Sequence, residues 1–349
     1  MPIYGVIIAG GRGKRFWPQS RIRRPKYLLK LSGQKRTLLQ GSVYRLKGLI
    51  KSENIIVVTN KLQYSDVRKQ LPQIPKGNII PEPMMKNTAA AVGVAAAIIN
   101  KKDSDAIIVV VPADQLVKNE KRLKAALKKA AHFAKSSDSI VTIGIKPTFP
   151  ATGFGYIKIG RKAQGNIFKA EKFIEKPDIK KANILIKNKN YLWNSGIFIF
   201  KNSLILKEIK RYMPKLAKGL RSIRAQGDLN RCYRGLSDIS IDYGIMEKSR
   251  KVYVVKANLK WHDIGSWMCL YDIMKPDRVG NIVMGANSTI DTKNSILISN
   301  KKHLIGTIGL DNIIVIHTED ATLVCGKNKL EAVKDLVSKM DKKNLRKFL

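Results

Sequence analysis

Short apolar runs that end in glycine or a polar cap alternate with stretches carrying an apolar residue every three or four positions. Tyr4–Ala9 (YGVIIA) is such a run, broken by Gly10-Gly11, and predicts a buried strand entering a loop. Thr37 then stands as a cap before Leu38, Leu39, Val43, Leu46 and Ile50, whose spacing predicts a helix. Asn54–Thr59 (NIIVVT) predicts a second strand, the Ala-rich stretch from Asn87-Thr88 to Ile99 a helix, and Ala106–Val111 (AIIVVV) a third strand. Glu120–Ala134 is amphipathic with helical period, and Ile140–Gly144 is again strand-like. Apolar β-branched runs without polar alternation belong to strands covered on both faces, so the pattern predicts an α/β fold with a mainly parallel, Rossmann-like mixed sheet flanked by helices.

From about Tyr156 the pattern shifts to strand and loop, in FKAEKFIEKP, WNSGIFIF and VYVVKA. Beyond Pro276 it changes once more. Short Ile/Val/Thr stretches (TIDTKNSILIS, HLIGTIG, NIIVIHT, ATLVCG) recur between Gly, Asn and Asp, and a helix is expected from Lys329 to Met340. This predicts a small C-terminal all-β domain, for which a left-handed β-helix is a candidate architecture. The expected division is residues 1–275, the α/β domain, and residues 276–349, the small β domain closed by its helix.

Composition changes this picture little, and charge sharpens it. The 349 residues carry 66 Lys and Arg against 26 Asp and Glu, a formal net charge of +40. Such a balance suits polyanionic partners. The basic residues are spread along the whole chain with no RNA-recognition motif, zinc finger or arginine-rich block, so specific nucleic-acid binding is not expected. Cys232, Cys269 and Cys325 lie far apart outside any CxxC pattern, and His132, His262, His303 and His317 lack metal-ligand spacing. The longest apolar run, Ala89–Ile99, is too short to span a bilayer. With no signal-like N-terminus, the expected location is the cytoplasm.

The chemistry gathers in a few segments. Gly10-Gly11-Arg12-Gly13-Lys14-Arg15 follows the first strand and runs on through Trp17-Pro18 and Arg21 to Pro25-Lys26. Glycines there let backbone N–H groups approach phosphates, and Arg15 and Lys26 would neutralise charge moving onto a leaving pyrophosphate. The loop is neither a Walker loop, since Arg15 follows Lys14, nor a dinucleotide fingerprint, since Phe16 holds the third glycine position. Asp114 follows a strand at the edge where α/β sheets place ligands. A lone Asp there is equally a turn or cap residue.

This arrangement resembles the mannose-1-phosphate guanylyltransferases of the nucleotidyltransferase family, whose opening signature matches residues 10–26. Further matches follow in order: Asn87-Thr88-Ala89, Pro112-Ala113-Asp114, residues 152–157 (TGFGYI), residues 173–177 (FIEKP), residues 193–196 (WNSG), residues 240–243 (SIDY) and residues 261–267 (WHDIGSW). The resemblance covers about residues 1–270. It implies transfer of GMP from GTP to α-D-mannose 1-phosphate, with Arg15 and Lys26 catalytic and Mg2+ on Asp114 and Asp263. Nucleotide binding falls to Ala9, Gly10, Gly11, Gly13, Asn87, Thr88 and Pro112. Sugar phosphate falls to Gly153, Glu175, Lys176 and Asn194. Asn87 and Thr88 also have a purely structural reading as a helix cap, and Gly153 one as a turn. A homodimer joined through the β domain is implied by the same analogy, and no isomerase activity, because the cupin-like isomerase domain of longer relatives is not expected.

Three positions depart from the family pattern: Gln115 where His is common after the Asp, Ala90 where Pro is frequent, and Gly244 in place of Ala. None removes a charged catalytic group, and all leave base and sugar choice open. Two further readings therefore stand beside the first: thymidylyl or uridylyl transfer to glucose 1-phosphate, and a non-catalytic nucleotide-sugar binder.

Overall fold

The computed structural model describes residues 1–11, 13–31, 34–223, 229–300 and 303–349. Its residues group by packing into two compact units. The first comprises Met1–Gly10, Gln40–Ala113 and Val117–Trp261, and the second Gly11–Leu39, Asp114–Leu116 and His262–Leu349.

The first unit is built on a nine-stranded sheet. In chain order its strands are β1 (Ile3–Ala9), β2 (Ile55–Asn60), β3 (Ile79–Glu82), β4 (Ile107–Pro112), β5 (Ile140–Ile145), β6 (Tyr156–Gln164), β7 (Ile167–Ile174), β8 (Tyr191–Lys201) and β9 (Val252–Ala257). Their spatial order is β3-β2-β1-β4-β8-β5-β9-β7-β6. The β3-β2-β1-β4 half is parallel throughout, and β5 is parallel to β9. Strand β8 enters antiparallel between β4 and β5, which makes the sheet mixed. Val6, Ile7, Ile56, Val57, Val58 and Val109 are all but inaccessible, as the unbroken apolar runs required. Full burial of one such side chain is worth about 1.5–3 kcal/mol.

Helices cover the sheet for reasons visible in their sequences. Helix α1 (Asn87–Asn100) is Ala-rich because it is packed on nearly every side: Ala89 to Ala96 are all buried. At Gly93 a Cβ would lie 3.1 Å from the Leu220 side chain. Helix α2 (Glu120–Ser137) buries Leu123, Ala126, Leu127, Ala130, Ala131 and Ala134, a stripe at three- and four-residue spacing. Asn119 caps it by accepting the Arg122 amide. Four helices at Ile179–Lys187, Asn202–Tyr212, Pro214–Arg221 and Leu229–Arg234 depart from the strand-and-loop pattern expected after Tyr156.

The second unit combines the glycine-rich loop with a β-helix-like stack. Strands Ile282–Met284, Ile296–Ile298 and Ile313–His317 pair in parallel, so that Ile282, Ile296 and Ile314 form one ladder and Met284, Ile298 and Ile316 another. Asp291, Asn294 and Asn312 take positive φ at the corners, a conformation those side chains tolerate. The closing helix begins as a 3-10 segment, Lys327–Ala332, and continues as α3 (Val333–Lys342). Val333, Val337 and Met340 share a core with Ile296, Ile314, Phe16, Trp17 and Trp267. The fold is thus the expected α/β sheet followed by a β-helix-like domain.

Candidate active site

Strands β1 and β4 are parallel neighbours, with Ile8 in register with Pro112, so their carboxyl ends finish side by side. The Ala113 amide donates to the Ile8 carbonyl at 3.0 Å, just before the chain runs on to Asp114. Ala9 is fully buried, and Pro112 accepts a hydrogen bond from the Ser42 hydroxyl at its carbonyl. A side chain at Gly10 or Gly11 would meet nothing within 4 Å, and Gly11 has a φ of +86°. At Gly13, where φ is +60°, a Cβ would lie 3.1 Å from Lys26. Arg12 lies outside the described residues.

Lys26 is the hub of the second unit's charged groups. Its Nζ lies 2.8 Å from Asp114 Oδ2 and donates to the Ile264 carbonyl at 2.7 Å. The side chains are 13% and 24% exposed for Lys26 and Asp114, so the pair is largely withdrawn from solvent. Burial alone would depress the ammonium pKa, but Asp114 and then Asp263 outweigh it and hold the pKa above the ordinary lysine value. The structure therefore brings together Lys26, Asp114 and Asp263. Arg15 makes a different contact: its Nη2 pairs with Glu331 Oε2 at 2.8 Å.

A second cluster forms within the first unit. Asn194 accepts from the Thr142 hydroxyl at 2.9 Å and donates through Nδ2 to Asp242 Oδ1 at 3.0 Å, and its amide donates to the Gly155 carbonyl at 2.8 Å. Glu175 pairs with Lys176 at 3.1 Å, the carboxylate side chain 8% exposed and the ammonium side chain 60%. The Glu175 amide donates to Glu247 Oε1 at 3.3 Å. Lys176 takes a φ of +44°, an uncommon backbone state for a lysine. Burial, reinforced by Glu175, pushes Asp242 up to about 7. Glu175 is raised as well, first by burial, with Lys176 opposing and Glu247 adding to the rise.

Glu175, Lys176 and Asn194 are thus gathered, and Asp242 joins them although it was not among the expected site residues. The SIDY segment that carries it stands out in the sequence; its burial against Asn194 is a tertiary fact. Gly155 is the constrained glycine of its loop, since a Cβ there would lie 2.5 Å from Glu175 Oε2, whereas Gly153 has open space around it. Asn87 and Thr88 open helix α1. Asn87 Oδ1 accepts the Thr88 amide and Thr88 Oγ1 accepts the Ile241 amide, both at 2.9 Å, which ties this turn to the residue before Asp242.

Two carboxylates converging on a buried ammonium beside a glycine-rich loop suit the handling of phosphate groups. Known proteins point the same way. The Nucleotidyl transferase family matches residues 4–279, and the MannoseP isomerase/GMP-like beta-helix domain matches residues 285–340. A mannose-1-phosphate guanylyltransferase of Escherichia coli is 34% identical over 97% of this chain and 76% of its own length. A mannose-1-phosphate guanylyltransferase 2 of Escherichia coli O157:H7 is 36% identical over 96% of this chain and 73% of its own. A crystal structure from Thermus thermophilus, described as a mannose-1-phosphate geranyltransferase, superposes with a TM-score of 0.90 at 31% identity, covering 98% of this chain and 100% of that one. The chain belongs to the nucleotidyl transferase family, among the mannose-1-phosphate guanylyltransferases, and is an enzyme of nucleotidyl transfer to a sugar phosphate.

Proposed function

We propose that the protein transfers GMP from GTP to α-D-mannose 1-phosphate, releasing pyrophosphate and forming GDP-mannose. The observation that carries this reading is the convergence of Asp114 and Asp263 on Lys26, in a chain similar to relatives named for that substrate. A sugar 1-phosphate is largely dianionic at neutral pH, because the second pKa of a phosphate ester is about 6. Its oxygen needs no general base. The barrier is the approach of two polyanions and the charge that builds as the α-phosphorus is attacked in line.

Lys26 and Arg15 supply positive charge to the phosphates, and the Gly10, Gly11 and Gly13 amides supply hydrogen-bond donors. Ala9, Pro112, Asn87 and Thr88 line the nucleotide. Lys176 meets the sugar phosphate, while Glu175, Asn194 and the Gly153 backbone bind sugar hydroxyls, with Asp242 fixing the Asn194 amide. Two aspartates are the donor set expected of Mg2+, which takes one or two carboxylates together with substrate phosphates and waters. Asp114 and Asp263 would hold it, and when bound it neutralises phosphate charge. Residues 1–275 would then bind both substrates and residues 276–349 would form the β domain, a candidate surface for a homodimer. No helix among the described residues is long and apolar enough to cross a membrane, and a cytoplasmic location is part of this proposal.

Pyrophosphate release tests the reading, with GTP, UTP, dTTP and ATP each offered with mannose or glucose 1-phosphate and Mg2+. Fastest release with GTP and mannose 1-phosphate is expected. A preference for UTP or dTTP with glucose 1-phosphate would overturn the substrate assignment and leave the chemistry standing.

A further inference from the structure

Three cations of the glycine-rich loop, Lys14, Arg15 and Arg21, are held by the C-terminal part of the second unit. Lys14 Nζ donates to Ser338 Oγ at 3.0 Å, Arg15 pairs with Glu331, and Arg21 pairs with Asp320 and donates to the Phe348 carbonyl at 2.6 Å. The Trp17 indole N–H reaches the same carbonyl at 2.7 Å. Arg15, paired with Glu331, has a side chain that is 41% exposed and so within reach of a ligand.

Arg15 Nε is buried and has no hydrogen-bond partner among the described residues. A free arginine on a surface loop would turn that donor to water. A guanidinium kept with Nε unpaired is therefore held in place by its other contacts, of which the 2.8 Å pair with Glu331 is the one charged partner found among the described residues. A guanidinium carries five N–H donors in a rigid fork, so one held by a carboxylate leaves others for phosphate oxygens. Holding it in advance removes the rotamer freedom that a long side chain would otherwise lose when the triphosphate arrives.

We propose that Glu331 is a positioning residue for nucleotidyl transfer: its carboxylate presets the Arg15 guanidinium for the triphosphate. This rests on the reading of Arg15 as a phosphate-binding residue. It makes the segment that leads into the closing helix a working part of nucleotide handling as well as a lid on the β-helix-like core. The dependence is one-directional, since Glu331 acts only through Arg15.

A double-mutant cycle tests it, with E331A, R15A and the double variant assayed for pyrophosphate release and, separately, for triphosphate binding by calorimetry. E331A should lower kcat/KM for GTP roughly five- to twentyfold. KM for the sugar phosphate should not change, and E331D should recover part of the loss. In the R15A background the same substitution should change neither turnover nor GTP affinity. Melting temperature should be almost unmoved, because an exposed pair contributes little to stability. An E331A enzyme indistinguishable from wild type, or an equal loss with and without Arg15, overturns the proposal. A wild-type protein that binds GTP through this coupled pair yet releases no pyrophosphate upholds the positioning role and overturns the reading of the reaction. One that does not bind GTP at all overturns both.

Discussion

Replacing Lys26 with methionine removes one charge and keeps most of the side chain's volume. In the native protein that ammonium faces Asp114 at 2.8 Å and the Ile264 carbonyl at 2.7 Å, and it is flanked by Asp263. Removing one member of a buried ion pair typically costs about 3–5 kcal/mol, because the surviving charge is left uncompensated. Here the two side chains retain 13% and 24% exposure, so water screens part of that charge and a loss of roughly 2–3 kcal/mol is expected. Two carboxylates that then share one site without their cation should welcome a divalent ion. Millimolar Mg2+ should accordingly raise the melting temperature of K26M by more than that of wild type. Turnover should fall by roughly a hundred- to a thousandfold, the usual effect of losing one group aimed at developing phosphate charge. Thermal melting with and without Mg2+, paired with a pyrophosphate-release assay, reads both quantities. A K26M protein with near-normal turnover and a melting temperature equally indifferent to Mg2+ would show that Lys26 neither balances these carboxylates nor serves the phosphates.

The buried carboxylate Asp242 gives a prediction with a definite sign. Its pKa of about 7 in the folded state lies above the 3.8 of an unperturbed aspartate, so between those values the folded protein holds the extra proton and stability falls as pH rises. D242N should therefore match wild type in stability near pH 4 and exceed it near pH 8 by roughly 2–4 kcal/mol, seen in urea melts at the two pH values. Equal differences at both pH values would count against a titrating Asp242. G155A should place a Cβ 2.5 Å from Glu175 Oε2 and push that carboxylate aside. Its KM for the sugar phosphate should rise about tenfold while KM for GTP holds, and a change in the GTP value alone would place Glu175 elsewhere in the reaction.

Much of the first unit was legible because parallel strands covered on both faces leave a plain trace. Expected strands at Asn54–Thr59 and Ala106–Val111 appear at Ile55–Asn60 and Ile107–Pro112, and the expected Glu120–Ala134 helix runs on to Ser137. The helices between Asn202 and Arg234 are hidden in the pattern because Pro214 and Gly219 break their apolar stripe into pieces that resemble loop. The closing helix starts as a tighter 3-10 segment, a distinction that period alone does not carry. In the site, motif order pointed to Lys26, Asp114 and Asp263, but not to the ion pair that joins the first two. The links of Asp242 to Asn194 and Glu331 to Arg15 join residues far apart in sequence, and no local pattern announces them.

Asp114 and Asp263 are proposed to serve the transfer of a nucleotidyl group to a sugar phosphate. The most direct test of that role is pyrophosphate release with GTP, mannose 1-phosphate and Mg2+, wild type beside D263N. One pyrophosphate per GDP-mannose formed is expected, with release that requires both substrates and a D263N rate lower by about a hundred- to several-thousandfold, a barrier increase of roughly 3–5 kcal/mol. A D263N enzyme turning over at a near-normal rate would contradict that role.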